Sequence, residues 1–552
     1  MTVPSRRFDR LRQLPVGALL AGGGAVAAYL AAELHVFSGE LGFPLDDGWI
    51  HLCFAQSLAA GNGLSFNPGS WVGGLTSPLW TALLAPGFLL PGGPVAWAKL
   101  LGAALYLATI DATARLGGAL GLGAGARRLA AALVALTPWL VWSALSGMET
   151  LLFTALSLWG MTLHVRERGG APTEVRSLPV LALAGLARPE GWLLVAAAVV
   201  DRAAVVDRAA VVDRTAVVDR AAATATDRPR LALRLDVPAD RSWWHGAATA
   251  ALVLVPCFAV YRLLGGSFLP TTFAVKSGFP TDLVPNGRHL ARALEVIFDS
   301  QPIMVLAAGA GILTLIRRSG TDRDRGLLPV LWLLGLALAK ALMTPEQGPS
   351  GVGNFGRYYF PLLPVVVVLG VVGADGVLRL LSRRARAVVV LMLLAPQLWD
   401  LARGPLLFTQ TVANVADSDV AAARWLAGRL PPEARIAAQD VGALGYFLPN
   451  EIVDLTGIVN PAIVPVLREG EPRDGRPVGP SWEDRLLAYL ERERPDYLVV
   501  FPEHYPFVLE HPGFAPVRRF PVAHNVTMAG DELAILTTPW TRARARLDPA
   551  LD

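Results

Sequence analysis

Residues 14–34 read LPVGALLAGGGAVAAYLAAEL, an apolar run interrupted by one charged residue, Glu33. A helix of about 20 residues is long enough to cross the ~30 Å hydrocarbon core of a bilayer. The run follows a basic stretch, residues 5–12, and this order is also found in signal peptides. It is longer than the apolar part of a usual signal peptide and lacks a convincing cleavage site. We therefore predict a retained first transmembrane helix.

The chain as a whole is also rich in apolar residues. Of its 552 residues, 53% are hydrophobic and 17% charged, and the mean hydropathy is +0.44. Soluble chains are about 25% charged, so a single soluble core is excluded. The net charge of +4 is too small to indicate nucleic-acid binding. Cys53 and Cys257 lie in a loop and in an apolar block, so neither a structural disulfide nor a zinc site is expected.

Arginine placement orients the chain, because short cytoplasmic loops carry an excess of Lys and Arg. Segments predicted to be cytoplasmic are the N-terminal stretch, 115–128, 166–176, 201–241, 317–325 and 383–386. Segments predicted to be external are 36–73, 147–150, 265–302, 344–357 and everything after about 403. The expected fold is a polytopic α-helical protein with roughly 9–12 transmembrane helices in residues 1–402 and its N-terminus in the cytoplasm.

Three segments do not fit a simple series of membrane crossings. Residues 75–90 are predicted to form a helix on the membrane surface. Residues 178–200 are interrupted by Arg188-Pro189-Glu190, which predicts a break and a re-entrant or paired half-helix hairpin. Residues 199–222 repeat Val-Val-Asp-Arg-Ala-Ala four times with small changes, which indicates a duplication within a low-complexity cytoplasmic loop.

The composition changes after Pro405. Apolar runs predict strands at 435–438, 497–501 and 532–536, and helical patterns are found at 424–427 and 484–494. Short strands alternating with helices indicate a small soluble α/β domain over residues 403–552, on the external face of the membrane.

The first external loop contains the most informative residues. Asp46 and Asp47 are adjacent, and two carboxylates repel one another unless a cation or a proton lies between them. The alternative is a pair of solvated loop acids, but His51, Asn67, aromatic residues and several glycines accompany them in the loop. One carboxylate is therefore a candidate general base for an acceptor hydroxyl, and the other would orient the hydroxyl or hold a cation.

Basic residues at external membrane edges suggest an anionic partner. Arg357 follows a glycine-rich stretch and precedes Tyr358, and Lys276 follows 268–273. A guanidinium beside open backbone suits bidentate phosphate binding, and the alternative is an arginine that extends toward lipid headgroups. Glu149 is either a substrate contact or an ordinary first-turn acid. Arg188 and Glu190 are interpreted mainly as an ion pair inside the bundle.

Several motifs together resemble a known family. They are Asp46-Asp47, the Gly-x-Gly-Leu-x-Phe-Asn-Pro-Gly run at 61–69, 74–80, 145–150, 187–191, 269–273, 357–361 and Asp454-Leu455-Thr456-Gly457-Ile458-Val459-Asn460-Pro461. In this order they resemble GT-C glycosyltransferases, most closely the mycobacterial terminal arabinofuranosyltransferase AftB family. Two positions depart from the family pattern: the acid usual near 71–73 is missing, and Thr271 stands where the family often has Asn.

The resemblance implies an external active site and transfer from a polyprenyl-phosphate sugar, with inversion, to a cell-envelope glycan or glycolipid. It implies Asp46 first and Asp47 second as base or acceptor-orienting acid. Arg357 would be the phosphate clamp with Lys276 behind it, and His51, Asn67, Glu149 and Tyr358 would be further substrate contacts. A divalent cation is possible as cofactor, although a third ligand is not evident in the sequence.

Other functions remain open at this point. A transporter or flippase for a lipid-linked glycan would need a midplane site, and Arg188-Pro189-Glu190 is the candidate. A non-catalytic envelope protein that binds glycan through its soluble domain, and a transferase of the same fold class acting on protein or lipid A, are further alternatives.

Overall fold

The structure, a computed structural model, describes residues 14–170, 174–206, 233–235, 241–272, 287–319, 326–343, 356–468, 481–545 and 547. The helices of the first 430 residues are α1 Val16–Val36, α2 Asp46–Ala59, α3 Pro78–Leu84, α4 Gly93–Ala119, α5 Ala124–Ala135, α6 Pro138–Leu145, α7 Thr150–Arg168, α8 Ser177–Ala187, α9 Glu190–Ala203, α10 Arg241–Gly265, α11 Gly287–Ser300, α12 Pro302–Arg318, α13 Leu328–Met343, α14 Leu363–Leu380, α15 Arg383–Val415 and α16 Ala421–Leu426. A short antiparallel pair, β1 Ala204–Val206 and β2 Leu233–Leu235, lies between α9 and α10 in the sequence.

The helical part is a multi-pass membrane module. Within the described residues, five segments are long and apolar enough to cross a membrane: Val16–Val36, Gly93–Ala119, Arg241–Gly265, Phe360–Leu380 and Arg383–Leu426. Two bent pairs, α5 with α6 at 58° and α11 with α12 at 108°, raise this number to seven if each is one span. Two shorter apolar helices, Ser177–Ala187 and Leu328–Leu342, accompany them.

The predicted break in 178–200 is confirmed. Helix α8 ends at Ala187 and α9 begins at Glu190, with Arg188 in extended backbone between them. A Cβ on Gly191 would lie 2.4 Å from the backbone nitrogen of Gly185, so the two half-helices touch through their glycines. In 75–90 the structure has α3 followed by a 3-10 turn, Ala85–Phe88, instead of one continuous helix.

The C-terminal part contains a five-stranded mixed sheet in the order β4-β3-β5-β7-β6. Its strands are β3 Arg435–Ala438, β4 Glu451–Asp454, β5 Tyr497–Val500, β6 Ala515–Pro521 and β7 Glu532–Thr537, and its helices are α17 Gly442–Phe447, α18 Val464–Arg468, α19 Trp482–Glu493 and α20 Phe507–Glu510. The predicted strands near 435, 497 and 532 are confirmed; β4 and β6 were not predicted. Strands β4, β3 and β5 run parallel, and β7 is antiparallel to β5 and β6.

The two faces of this sheet have different partners. Along β3, Ile436 and Ala438 belong to the same buried cluster as the membrane helices. Ala437, between them, belongs to a second cluster that includes Leu486 and Leu490 of α19. Successive side chains of a strand point to opposite faces. The sheet therefore packs one face on the membrane module and the other on its own helix.

Helix α15 connects the two parts without a break. It has 33 residues, or about 50 Å at 1.5 Å per residue, which exceeds the ~30 Å bilayer core. The predicted boundary between residues 402 and 403 falls inside this helix. A short π-helical turn, Ala416–Val420, then leads into α16. The sheet domain is thus carried on the end of a membrane helix.

A buried ion pair fixes the loop after α1. Lys99 Nζ lies 3.0 Å from Glu33 Oε2, and the two side chains are 2% and 0% exposed. Lys99 also donates to the Leu145 carbonyl at 3.0 Å, and Glu33 accepts from the backbone N–H of Gly42 at 2.9 Å. The pair therefore ties α1 and α4 to the chain just before the Asp46-Asp47 pair.

We expect Lys99→Met to lower the free energy of unfolding by about 3–5 kcal/mol, because it leaves the Glu33 carboxylate buried without its cation. The measurement is a denaturant titration of the purified protein in detergent, followed by tryptophan fluorescence. The double variant Lys99→Met/Glu33→Gln removes both charges and should recover part of the loss. An unchanged midpoint for Lys99→Met would contradict a stabilising role for the pair.

Candidate active site

Helix α2 begins with the two adjacent acids, where the positive end of the helix dipole stabilises carboxylates. Their side chains have different partners. Asp46 accepts hydrogen bonds from the backbone N–H groups of Gly442 and Ala443, at 2.6 and 2.7 Å. Burial raises the pKa of Asp46 from 3.8 to about 7, the two amides oppose that rise, and the charge of Asp47 adds to it. Asp46 thus binds the first turn of α17 in the sheet domain.

Asp47 faces the membrane module instead. Its Oδ2 lies 2.6 Å from Nη2 of Arg357, whose side chain is 6% exposed. Asp47 also borders a cavity of about 50 Å³. The lining residues are Asp47, Ile50, His51, Phe54, Gly74, Leu75, Thr76, Met148, Thr272 and Ile458. The cavity therefore lies where the first loop, the segment that follows α10 and the sheet domain meet.

His51 lies one helical turn after Asp47, so both side chains are on the same face of α2. Its Nε2 is 2.9 Å from Oε2 of Glu149, and both side chains are buried, 7% and 5% exposed. Its other nitrogen, Nδ1, is buried and has no hydrogen-bond partner among the described residues. The cavity is thus bordered by one carboxylate and by one histidine with an unused nitrogen.

Glu149 is part of a buried network of charged side chains. Arg188 Nη1 lies 2.8 Å from Glu149 Oε1, and Arg188 Nη2 lies 3.1 Å from Glu190 Oε1. Lys340 Nζ lies 2.9 Å from the same Glu190 oxygen. The predicted Arg188–Glu190 ion pair is therefore present, as part of a larger network. Glu149 is not an ordinary first-turn acid, because it pairs with Arg188 and His51.

The ring of Tyr358 lies at the centre of three cations. Its centroid is 5.3 Å from Cζ of Arg188, 5.3 Å from Cζ of Arg357 and 4.5 Å from Nζ of Lys340. Cations are attracted to the face of an aromatic ring, and each of the three is also paired with a carboxylate, Asp47, Glu149 or Glu190. A phosphate group would bind to this cluster by displacing one of the carboxylates.

Five of the residues singled out from the sequence are brought together here: Asp47, His51, Glu149, Arg357 and Tyr358. Asn67 is not among them. Its amide pairs with the backbone of Ile452, donating to the carbonyl at 2.9 Å and accepting from the N–H at 3.0 Å, because it docks the edge strand β4. Lys276 lies outside the described residues.

Lys340 was not among the candidate residues singled out from the sequence. It lies in α13, which is otherwise apolar, and it is half-buried. An ionisable residue inside an apolar run usually faces the interior of a membrane protein and has a partner there. That signal was available, but it does not say that the partner would be Glu190.

The sheet domain contributes one wall of the cavity. Asp454, at the end of β4, accepts hydrogen bonds from the N–H groups of Thr456, Gly457, Val459 and Asn460 and from the Thr456 hydroxyl. These bonds shape the loop that carries Ile458. Thr272 donates from Oγ1 to the carbonyls of Gly74 and Ile458, at 2.7 and 3.3 Å. A Cβ on Gly74 would lie 2.3 Å from the Ile458 carbonyl oxygen, so glycine is required for this approach.

A metal site was tested against the same residues. Among the residues that the structure describes, no group of three His, Cys, Asp or Glu side chains is arranged to hold a metal ion. Asp46 and Asp47 are turned toward backbone amides and toward a guanidinium. The described arrangement therefore offers positions for an anion and a proton acceptor near a cavity.

Comparisons with known proteins fit this architecture. Residues 409–539 match a family model described as a domain of unknown function, DUF8728. A search of curated protein sequences found no match. ArnT from Cupriavidus metallidurans is similar in structure, with a TM-score of 0.52 and 14% identity over 95% of this chain and 99% of ArnT; a second ArnT structure holds undecaprenyl phosphate.

The archaeal oligosaccharyltransferase AglB from Archaeoglobus fulgidus, in complex with an inhibitory peptide and a dolichol-phosphate, is similar with a TM-score of 0.57 and 12% identity. That alignment covers 89% of this chain and 70% of AglB. The chain therefore has the GT-C type of fold, with a helical membrane module and a C-terminal sheet domain. The identities are low, so the likeness concerns the fold.

Proposed function

We propose that this protein is a membrane glycosyltransferase that moves a sugar from a polyprenyl-phosphate donor to a cell-envelope glycan or glycolipid. The observation that carries the proposal is the cavity-lining Asp47, ion-paired at 2.6 Å with an arginine that belongs to a cluster of three cations. The fold supports it, because ArnT and AglB share this fold and have structures with undecaprenyl phosphate and dolichol-phosphate bound.

The cations stabilise the negative charge of the leaving group. As the bond between the anomeric carbon and the phosphate oxygen breaks, its electron pair stays on the departing lipid phosphate. Arg357, Arg188 and Lys340 stabilise that negative charge, and a guanidinium can bind two phosphate oxygens at once. Arg357 holds Asp47 in the described state. A phosphate that engages Arg357 would release the carboxylate.

Asp47 acts as the base for the acceptor hydroxyl. Its released carboxylate accepts a hydrogen bond from the acceptor hydroxyl and takes the proton as the oxygen attacks the anomeric carbon. Attack from the side opposite to the phosphate inverts the configuration. The transition state has oxocarbenium character, as in other glycosyl transfers, so a carboxylate near the sugar also stabilises positive charge on the ring.

Substrate binding requires the cavity to widen. At about 50 Å³ the cavity can hold water and is small for a sugar ring. The wall that carries Ile458 belongs to the sheet domain, whereas the opposite wall belongs to α2. A small separation of these two walls would admit the sugar.

The sequence supports proposals for the sugar, the membrane orientation and the domain division. Arabinofuranose is the sugar that the resemblance to the AftB family favours. The arginine distribution favours a cytoplasmic N-terminus in the inner or plasma membrane and an external sheet domain. In this orientation the reaction takes place on the external face, and the proposed domain division remains residues 1–402 and 403–552.

The test is sugar transfer by the purified protein in lipid nanodiscs. Polyprenyl-phosphate donors carrying radiolabelled arabinofuranose, mannose or glucose are offered with envelope glycan or glycolipid fractions as acceptors. We expect label in the acceptor from one donor, with release of polyprenyl phosphate. Movement of intact labelled lipid between the leaflets of liposomes, with no transfer from any donor, would favour a flippase and contradict the proposal.

A further inference from the structure

His51 has a buried nitrogen that nothing described in the structure satisfies. Its side chain is 7% exposed, its Nε2 pairs with Glu149, and its Nδ1 has no partner among the described residues. A buried polar atom without a hydrogen bond destabilises the folded state, so a partner for it is expected. The cavity beside His51 is the place from which a partner can come.

The Glu149 contact determines which nitrogen carries the proton. An ionised carboxylate only accepts hydrogen bonds, so the nitrogen that faces it must carry a hydrogen. Glu149 lies 2.8 Å from Arg188, which favours its ionised form. The 2.9 Å contact therefore favours the tautomer of His51 with its proton on Nε2, which leaves the lone pair of Nδ1 to accept a proton.

We propose that His51 is a second proton acceptor of the transfer reaction, with Glu149 as the residue that positions it. The proposal rests on the proposed function and extends it. Asp47 takes the proton of the acceptor hydroxyl, and the proton then passes to Nδ1 of His51, directly or through one water. Asp47 is thereby restored as a carboxylate and can pair with Arg357 again.

The balance of charge favours this route. Protonation makes His51 an imidazolium, and the Glu149 carboxylate at 2.9 Å stabilises it. Asp47 lies one turn away on the same helix, and Arg188 and Arg357 are the cations on the neighbouring elements. When product leaves, the imidazolium releases its proton to water, so one turnover consumes one hydroxyl proton and returns it to solvent.

The first experiment is chemical rescue of His51→Ala. Loss of a proton acceptor should lower kcat about 100-fold, the lower end of the range for general acid–base catalysis, while the KM for donor stays within about twofold. The truncation leaves a space beside Glu149, so added imidazole should restore at least about tenfold of kcat with saturation. Glu149→Gln should also lower kcat, because the charge that stabilises the imidazolium is lost.

A second buried histidine provides the control. His164 pairs with Asp201 at 2.7 Å and is 1% exposed, but it lies on α7 near the other end of the module and does not line the cavity. His164→Ala should show no rescue by imidazole. Equal rescue of both variants would mean that imidazole acts through stability, and unchanged kcat in His51→Ala would overturn the relay.

The tautomer gives a readout that needs no turnover. The chain has 8 histidines, and ¹⁵N-histidine NMR of the protein in nanodiscs, with His51→Gln to assign the signal, reports which ring nitrogen is protonated. We expect a proton on Nε2 and none on Nδ1. A proton on Nδ1 would overturn the relay by itself, whereas absence of transfer by the wild type would contradict the proposed function.

Discussion

Replacing Asp47 by Asn should lower the rate of sugar transfer by a factor of about 10²–10⁴, the range that a positioned proton acceptor contributes. The amide cannot take the hydroxyl proton, and it also removes the negative charge that holds Arg357 in place. The size of the side chain is unchanged, but the buried Arg357 loses its carboxylate, so a denaturant titration must show that the variant is folded before kcat is compared. The measurement is kcat with the donor at saturation, at matched protein levels in nanodiscs.

Asp46→Asn is the matched control, since the same change is made one residue earlier. Asp46 binds the amides of Gly442 and Ala443 and does not line the cavity, so transfer should persist. One end of the new amide would face an N–H donor, and we expect the free energy of unfolding to fall by about 1–3 kcal/mol. Collapse of kcat in Asp46→Asn, with full activity in Asp47→Asn, would reverse the assignment made here.

Replacing Arg357 by Gln should weaken donor binding about 100-fold. A charge-assisted contact to phosphate is worth about 2–3 kcal/mol, and each 1.4 kcal/mol is a factor of ten in affinity. The change also leaves Asp47 without its cation. The measurement is the equilibrium binding of undecaprenyl phosphate, together with the KM for the donor.

Arg424→Gln is the control for that experiment. Arg424 pairs with Glu40 at 3.0 Å, but both side chains are exposed, 54% and 66%. Exposed ion pairs contribute little, so neither binding nor transfer should change. Unchanged undecaprenyl phosphate binding in Arg357→Gln would contradict the phosphate role and would leave Arg357 as a partner of Asp47 alone.

The fold class could be predicted because it depends on local patterns. Apolar runs of about 20 residues, arginines between them and three strand-like runs after residue 434 are each visible in short windows of sequence. The break at Arg188-Pro189 was visible for the same reason, since proline ends a helix at the residue before it. These features can be predicted without knowing which residues pack against them.

The different partners of Asp46 and Asp47 could not be predicted, and the sequence-based prediction placed Asp46 first and Asp47 second as the base. Neighbouring side chains at a helix start point in different directions, and their partners are 396 and 310 residues away. Asn67 was placed with the substrate contacts because it lies in the same loop, yet its partner is Ile452. Contacts between distant residues decide these roles, and no local pattern reports them.

The contacts between the first loop and the sheet domain have a consequence for biogenesis. Asn67 meets Ile452 only after 385 further residues have been made, which takes about 20–80 s at 5–20 residues per second. Until then, α2 has no sheet domain to dock against, and the cavity lacks its Ile458 wall. The first loop must therefore wait for the sheet domain, and the cavity is complete only after the residues up to Ile458 have been made.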